Sequence, residues 1–190
     1  TTNEGTGIAD WIHGNIPAGT GSVLTRQLLA ATKYYLDVVD SGVDPSRITF
    51  TGHSLGGGLA SLMAVFFNTR ATVFDEAPFL LSATLPIVWV NLCAALVLSG
   101  YTIPAELLNY DPLTDLKTRE SGVNQIYVTG EALSSYSFLD TFKIMGGPPS
   151  PLNPMVSGLT VQLPSTDWGP AAADLHSIVL LNAFQMDPDF

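Results

Sequence analysis

The chain has a single cysteine, Cys93, which excludes an internal disulfide. It lies among Leu92, Ala94 and Ala95, so an inert buried thiol is expected. Absence of disulfides fits the cytosol and bacterial secretion alike, which leaves the compartment unassigned with bacterial secretion favoured over the cytoplasm. Basic residues are scarce, 7 Lys and Arg against 17 Asp and Glu, for a formal charge of −10. That balance argues against nucleic acid or an anionic membrane surface as an electrostatic partner. There is no Cys/His cluster, phosphate loop, dinucleotide fingerprint or internal repeat, so neither a metal nor a cofactor is expected in catalysis. No signal peptide is visible, and the chain opens Thr1-Thr2-Asn3-Glu4 without methionine, as expected of a processed or trimmed piece of a longer protein.

Charge is also missing from Ala77 to Ala105. Leu80 through Leu98 is apolar enough to suggest a membrane span, yet Pro86 and Asn91 interrupt it. A buried helical pair or cap over an active site, an interface-binding lid and a transmembrane helix all fit residues 77–105. A lid would suit a lipid substrate, because it hides apolar surface until an interface is met.

What is present is enough for a core. Apolar residues make up 46% of the 190, which suits one domain over 1–190. Val23, Leu24, Leu28, Ala31, Tyr35, Val38 and Val39 recur at helical spacing, with Ser22 as N-cap and Gly42 as stop. Asp44-Pro45-Ser46 then turns the chain into Arg47-Ile48-Thr49-Phe50, a β-favouring run. Thr51-Gly52-His53-Ser54-Leu55-Gly56-Gly57 follows and leads into the apolar helix Leu59 to Phe67. Strand, sharp glycine turn with a serine at its tip, then helix is the context that makes G-x-S-x-G a nucleophile elbow. Glycines at the flanking positions let strand and helix approach, and the strained turn projects the Ser54 hydroxyl away from the backbone. The helix N-terminus supplies free N–H groups, of which Leu55 N–H is the candidate oxyanion donor. The plainer alternative is a glycine-rich connection without chemistry.

The run Ile48-Thr49-Phe50-Thr51-Gly52-His53-Ser54-Leu55-Gly56-Gly57-Gly58-Leu59-Ala60 resembles the elbow of the class 3 lipases, a branch of the α/β-hydrolases. The resemblance implies an α/β-hydrolase fold, a mainly parallel sheet flanked by helices, and ester hydrolysis by a Ser–acid–His triad in that chain order. It also implies a second oxyanion donor from an Arg-Gly-Ser/Thr turn followed by an Asn/Asp-Trp-Ile segment. Asp10-Trp11-Ile12 looks like the second piece, and Gly5-Thr6 stands where the turn would be, which makes Thr6 the candidate donor. Glu4 replaces the arginine and no hydrophobic strand precedes it, so a plain surface loop and a turn upstream of Thr1 stay open.

After the elbow helix, Ala71-Thr72-Val73-Phe74 reads as the next parallel strand, with Asp75 and Glu76 at its end, where ligands gather in such sheets. Asp75 is expected to have a hydrogen-bonding role, because the family's acid usually comes one strand later. Val123 to Thr129 is that strand, and Glu131 just past it is the candidate acid, with Asp140 and Asp115 as alternatives. Its task would be to accept the imidazole N–H and stabilise the imidazolium. Aspartate is commoner there in class 3 lipases, so Glu131 departs from the pattern. Thr160 to Leu163 is a last short strand.

His176, at a loop-to-helix junction after the acid, is the candidate general base; a surface histidine at a helix start is the alternative. His13 precedes the elbow, the wrong order for this fold, and His53 is beside the serine on the turn. Asp174 is expected to cap the last helix.

With essentially one helix before the elbow strand, that strand would lie near an open edge. An upstream segment, held as a separate polypeptide, is therefore an expected partner. The others are an ester or lipid substrate and a transient contact with a lipid interface. The expected activity is a lipase or carboxylesterase acting through an acyl-enzyme. A phospholipase or acyltransferase on the same triad, or a non-catalytic hydrolase-like domain, is the alternative.

Overall fold

The computed structural model describes residues 23–77, 79–128 and 160–163. Thr6, Asp10 to His13, Glu131, Asp140, Asp174 and His176 lie outside them.

The first helix, α1, runs Val23–Asp40 and stops before Gly42, whose φ of +98° is one that residues with a Cβ rarely adopt. Its periodicity buries Leu28, Thr32, Tyr35 and Leu36 on one face. A 3₁₀ turn over Pro45–Arg47 follows, capped by the Asp44 side chain accepting from Ser46 N at 2.9 Å. The strands are β1 (Thr49–His53), β2 (Arg70–Phe74), β3 (Val123–Val128) and β4 (Thr160–Leu163), close to where the sequence places them. They form one parallel sheet in the order β1-β2-β3-β4, with β1 at one edge of the described sheet.

Helix α2 (Leu55–Phe67) joins β1 to β2 and packs on both. It is apolar nearly all round, and ten of its thirteen residues are buried, which suits a helix covered on every side. The outer layer is α1 together with α4 (Pro86–Leu98). Tyr35 of α1 stacks on Phe67 of α2 and Phe50 of β1, with ring centroids 4.7 and 5.4 Å apart. Parallel strands joined through packed helices make this an α/β architecture.

The charge-free stretch folds as α3 (Leu80–Thr84) followed by α4. Pro86 does not break a longer helix; it starts α4, at a position where its missing N–H costs nothing. Asn91 sits exposed within α4 without interrupting it. Leu92 and Leu96 are fully buried in the core, and Tyr101 Oη donates to Asp37 Oδ1 of α1 at 2.9 Å just beyond the helix. Ile87, Val90, Val97 and Leu98 are exposed on the other side of α4. Among the described residues, no helix is long and apolar enough to cross a membrane. Cys93 is half-buried, less than the sequence suggests, and burial pushes its thiol pKa up.

Two short helices, α5 (Ala105–Leu108) and α6 (Leu116–Arg119), lead to β3. The Arg119 guanidinium donates to the carbonyls of Val65 and Phe66 at 3.2 Å, and to Asp115 Oδ2 at 3.0 Å. Asp115 is thereby fastened at the C-terminal end of α2, the end away from Ser54. Its carboxyl is held below the ordinary range, first by the Asp111 backbone N–H.

Candidate active site

Ser54 stands between β1 and α2 with φ 56° and ψ −125°, a conformation that residues with a Cβ avoid. Such strain persists only where neighbours impose it, and here three backbone hydrogen bonds do so. Ser54 N donates to Phe74 O at 3.1 Å, and Ser54 O accepts from Gly58 N at 3.1 Å and Ala77 N at 2.9 Å. The segment 74–77, which leaves the end of β2, therefore clamps the serine from both sides of its own residue. The Ser54 hydroxyl does not cap α2. Leu55 is the first residue of α2, so its N–H belongs to the turn that has no intrahelical acceptor.

The glycines act differently from the expectation. A Cβ on Gly52 would stand 2.2 Å from Gly56 O, so strand and helix do touch there. Gly56, the second glycine of the motif, has nothing within 4 Å of an added Cβ. The crowding falls instead on Gly57, whose Cβ would meet Glu76 Cβ at 2.9 Å, and on Gly58, whose Cβ would meet Ala77 O at 2.5 Å. Both contacts are with the segment that clamps Ser54. Gly56→Ala should accordingly be neutral or stabilise by up to about 1 kcal/mol, since alanine costs less than glycine in a helix. Gly57→Ala should destabilise by roughly 1–3 kcal/mol through overpacking. Urea unfolding of the two variants checks the contrast.

Two carboxylates end β2. Asp75 has φ 39° and is 1% exposed, and its N–H donates to Ile126 O of β3 at 2.9 Å. Glu76 is 4% exposed; Ser61 Oγ of α2 donates to its Oε2, and Gln125 Nε2 of β3 donates to its Oε1. Burial raises the Glu76 pKa to about 7, against the opposing pull of those two donors. Sequence reasoning placed Glu76 only as part of a strand end and missed its burial. The available signal was a pair of acidic residues closing an apolar strand just before a charge-free stretch.

The parallel sheet brings the C-terminal ends of β1, β3 and β4 to one edge, with Ser54 directly after β1. The end of β3, three residues before Glu131, is two strand spacings from β1, about 10 Å. β4 ends at the same edge, 13 residues before His176 in sequence. Among the described residues, no group of His, Cys, Asp and Glu could hold a metal ion.

Residues 10–136, about two thirds of the chain, match the profile of a phospholipase-like family described as the Tle-like phospholipase domain. The matched region contains Ser54 and Glu131 and ends before Asp140 and His176. No curated protein matches the chain. The resemblance at the elbow suggested class 3 lipases, whereas the match names phospholipases, the class carried as an alternative. With an α/β sheet, a serine held at its strand-to-helix turn and a match over most of its length, the chain belongs to this phospholipase-like family, a lipase-like family of hydrolases.

Proposed function

We propose that this chain is a serine-dependent hydrolase of α/β-hydrolase fold that cleaves the carboxylic acyl esters of phospholipids. The observation that carries the reading is the strained Ser54, clamped between Phe74 O and Ala77 N at the start of α2. Ser54 Oγ attacks the ester carbonyl while His176 Nε2 takes its proton. Glu131 accepts the other imidazole N–H and stabilises the imidazolium. Leu55 N–H and Thr6 stabilise the tetrahedral oxyanion. As that intermediate collapses, the acyl–oxygen bond to the lysophospholipid breaks and His176 returns the proton to the leaving oxygen. Water then attacks the acyl-enzyme by the same route and releases the fatty acid.

Incubation with phosphatidylcholine should yield free fatty acid and lysophospholipid in equal amounts. Products cut at the phosphodiester would contradict the reading, and transfer of the acyl group to an added alcohol in preference to water would favour an acyltransferase.

A transient contact with a lipid surface is supported by α4. Ile87 and Val90 are 52% and 54% exposed in its first turns, and the helix follows the end of β2 that clamps Ser54. No charge lies within 77–105, although the chain as a whole carries −10, so an uncharged or zwitterionic surface suits this side. The double variant Ile87→Ser, Val90→Ser should raise KM for phosphatidylcholine vesicles about 5–10-fold, in line with the loss of two apolar contacts. Hydrolysis of a soluble short-chain ester should change less than about twofold. Equal loss on both substrates would remove the interface contact from the account.

A further inference from the structure

Resting on the assignment of Ser54 as the nucleophile, we infer that Glu76 is a positioning residue. It fastens the 74–77 segment beneath the nucleophile turn through Ser61 and Gln125, and so keeps Ser54 in its strained conformation. The backbone of that segment holds both ends of residue 54, with Phe74 O accepting from Ser54 N and Ala77 N donating to Ser54 O. Between those two points the Glu76 side chain enters the core and meets α2 at Ser61 and β3 at Gln125. The fit is tight. Glu76 Cβ and Cα stand 2.9 and 3.1 Å from where a Cβ on Gly57 would be, so residue 76 and the first turn of α2 bear directly on each other. A change in how Glu76 sits is therefore passed to the turn that carries the nucleophile.

The chemistry of the surroundings makes the arrangement depend on a proton. Helix α2 has no charged residue, and the donors that reach the carboxyl, Ser61 and Gln125, are neutral. The titratable groups of the elements packed here are Asp75 and His53 beside the turn, Tyr127 on β3 and Arg70 at the opposite end of β2. A carboxylate in such a place would lack a paired cation from α2 and would be costly to hold. A carboxyl raised from 4.5 to about 7 keeps its proton in the folded chain where the unfolded chain has lost it. Its support is thus fully present at low pH and is lost as pH rises through about 7. Ionisation draws the side chain towards water and loosens the two backbone bonds on Ser54, while the hydroxyl itself keeps its chemistry.

The test is the rate at which a fluorophosphonate modifies Ser54, measured on the full chain from about pH 5.5 to about pH 9. In that reaction the serine oxygen bonds to phosphorus and fluoride leaves. For the wild type the rate should rise as the histidine base loses its proton and fall again above about pH 7. Glu76→Gln keeps the shape of the neutral acid and cannot ionise. The ratio of its rate to that of the wild type should climb about 10- to 100-fold between about pH 6 and about pH 9.

Ser61→Ala removes a donor that lowers the Glu76 pKa, so its falling limb should move to higher pH, and this variant decides the matter if Glu76→Gln does not fold. A merely structural role would depress the rate by one factor at every pH. Ratios that do not change with pH for either variant overturn the inference and leave Ser54 as nucleophile. A wild type unmodified at every pH overturns both.

Discussion

Ser54→Ala is expected to abolish turnover while leaving the fold in place. Removing the nucleophile of a serine hydrolase costs on the order of 10⁴–10⁶ in kcat, the remainder coming from the oxyanion donors and substrate binding. The structure adds a reason to expect clean behaviour from this substitution. Residue 54 is held at φ 56° through backbone bonds to Phe74, Gly58 and Ala77, and its side chain does not cap α2. Alanine should be held in the same clamp at little extra cost, because serine already bears the strain that a Cβ brings. The expected pattern is loss of kcat with an unfolding midpoint close to wild type. Loss of both together would mean that the hydroxyl was part of the clamp. Retained kcat would mean that Ser54 is not the nucleophile.

The second large effect concerns the acid. Glu131→Gln should lower kcat by about 10²–10⁴, because an amide no longer fixes the tautomer or stabilises the imidazolium. Placement of the strands favours this site. β3 runs parallel to β1 two positions away, and its C-terminal end opens on the edge where Ser54 stands. Asp115 is at the other end of α2, bound to Arg119, so Asp115→Asn should act on stability and leave kcat nearly unchanged. If Asp140→Asn carries the large loss, the triad acid is Asp140 and Glu131 is a surface carboxylate. Steady-state kinetics on the three variants, each checked for folding by circular dichroism, separates these outcomes.

Local features were the legible ones. Helix α1 could be read from apolar spacing and from Gly42, and β1, the serine turn and α2 from a few adjacent residues whose pattern has one favourable geometry. Features that depend on distant contacts were not. Gly56 and Gly57 are neighbours in a glycine run, and Glu76, arriving from the end of β2, together with Gly52 O of β1 makes Gly57 the crowded one. Glu76 reads like any acid at a strand end until α2 and β3 close over it.

Helix α4 shows the same limit. Its apolar sequence admits core, lid or membrane, and packing against α1 divides it into a buried side with Leu92 and Leu96 and an exposed side with Ile87 and Val90. The candidate acid and base, Glu131 and His176, lie beyond the described ends of β3 and β4, and no short motif places them against Ser54.

Fluorophosphonate labelling of the full chain at neutral pH, with the modified peptide identified by mass spectrometry, tests Ser54 as the nucleophile in one step. One adduct is expected, on Ser54, formed by the wild type and lost in both Ser54→Ala and His176→Ala. An unlabelled wild type, or an adduct on another residue, would contradict it and leave a phospholipase-like fold without the serine chemistry proposed for it.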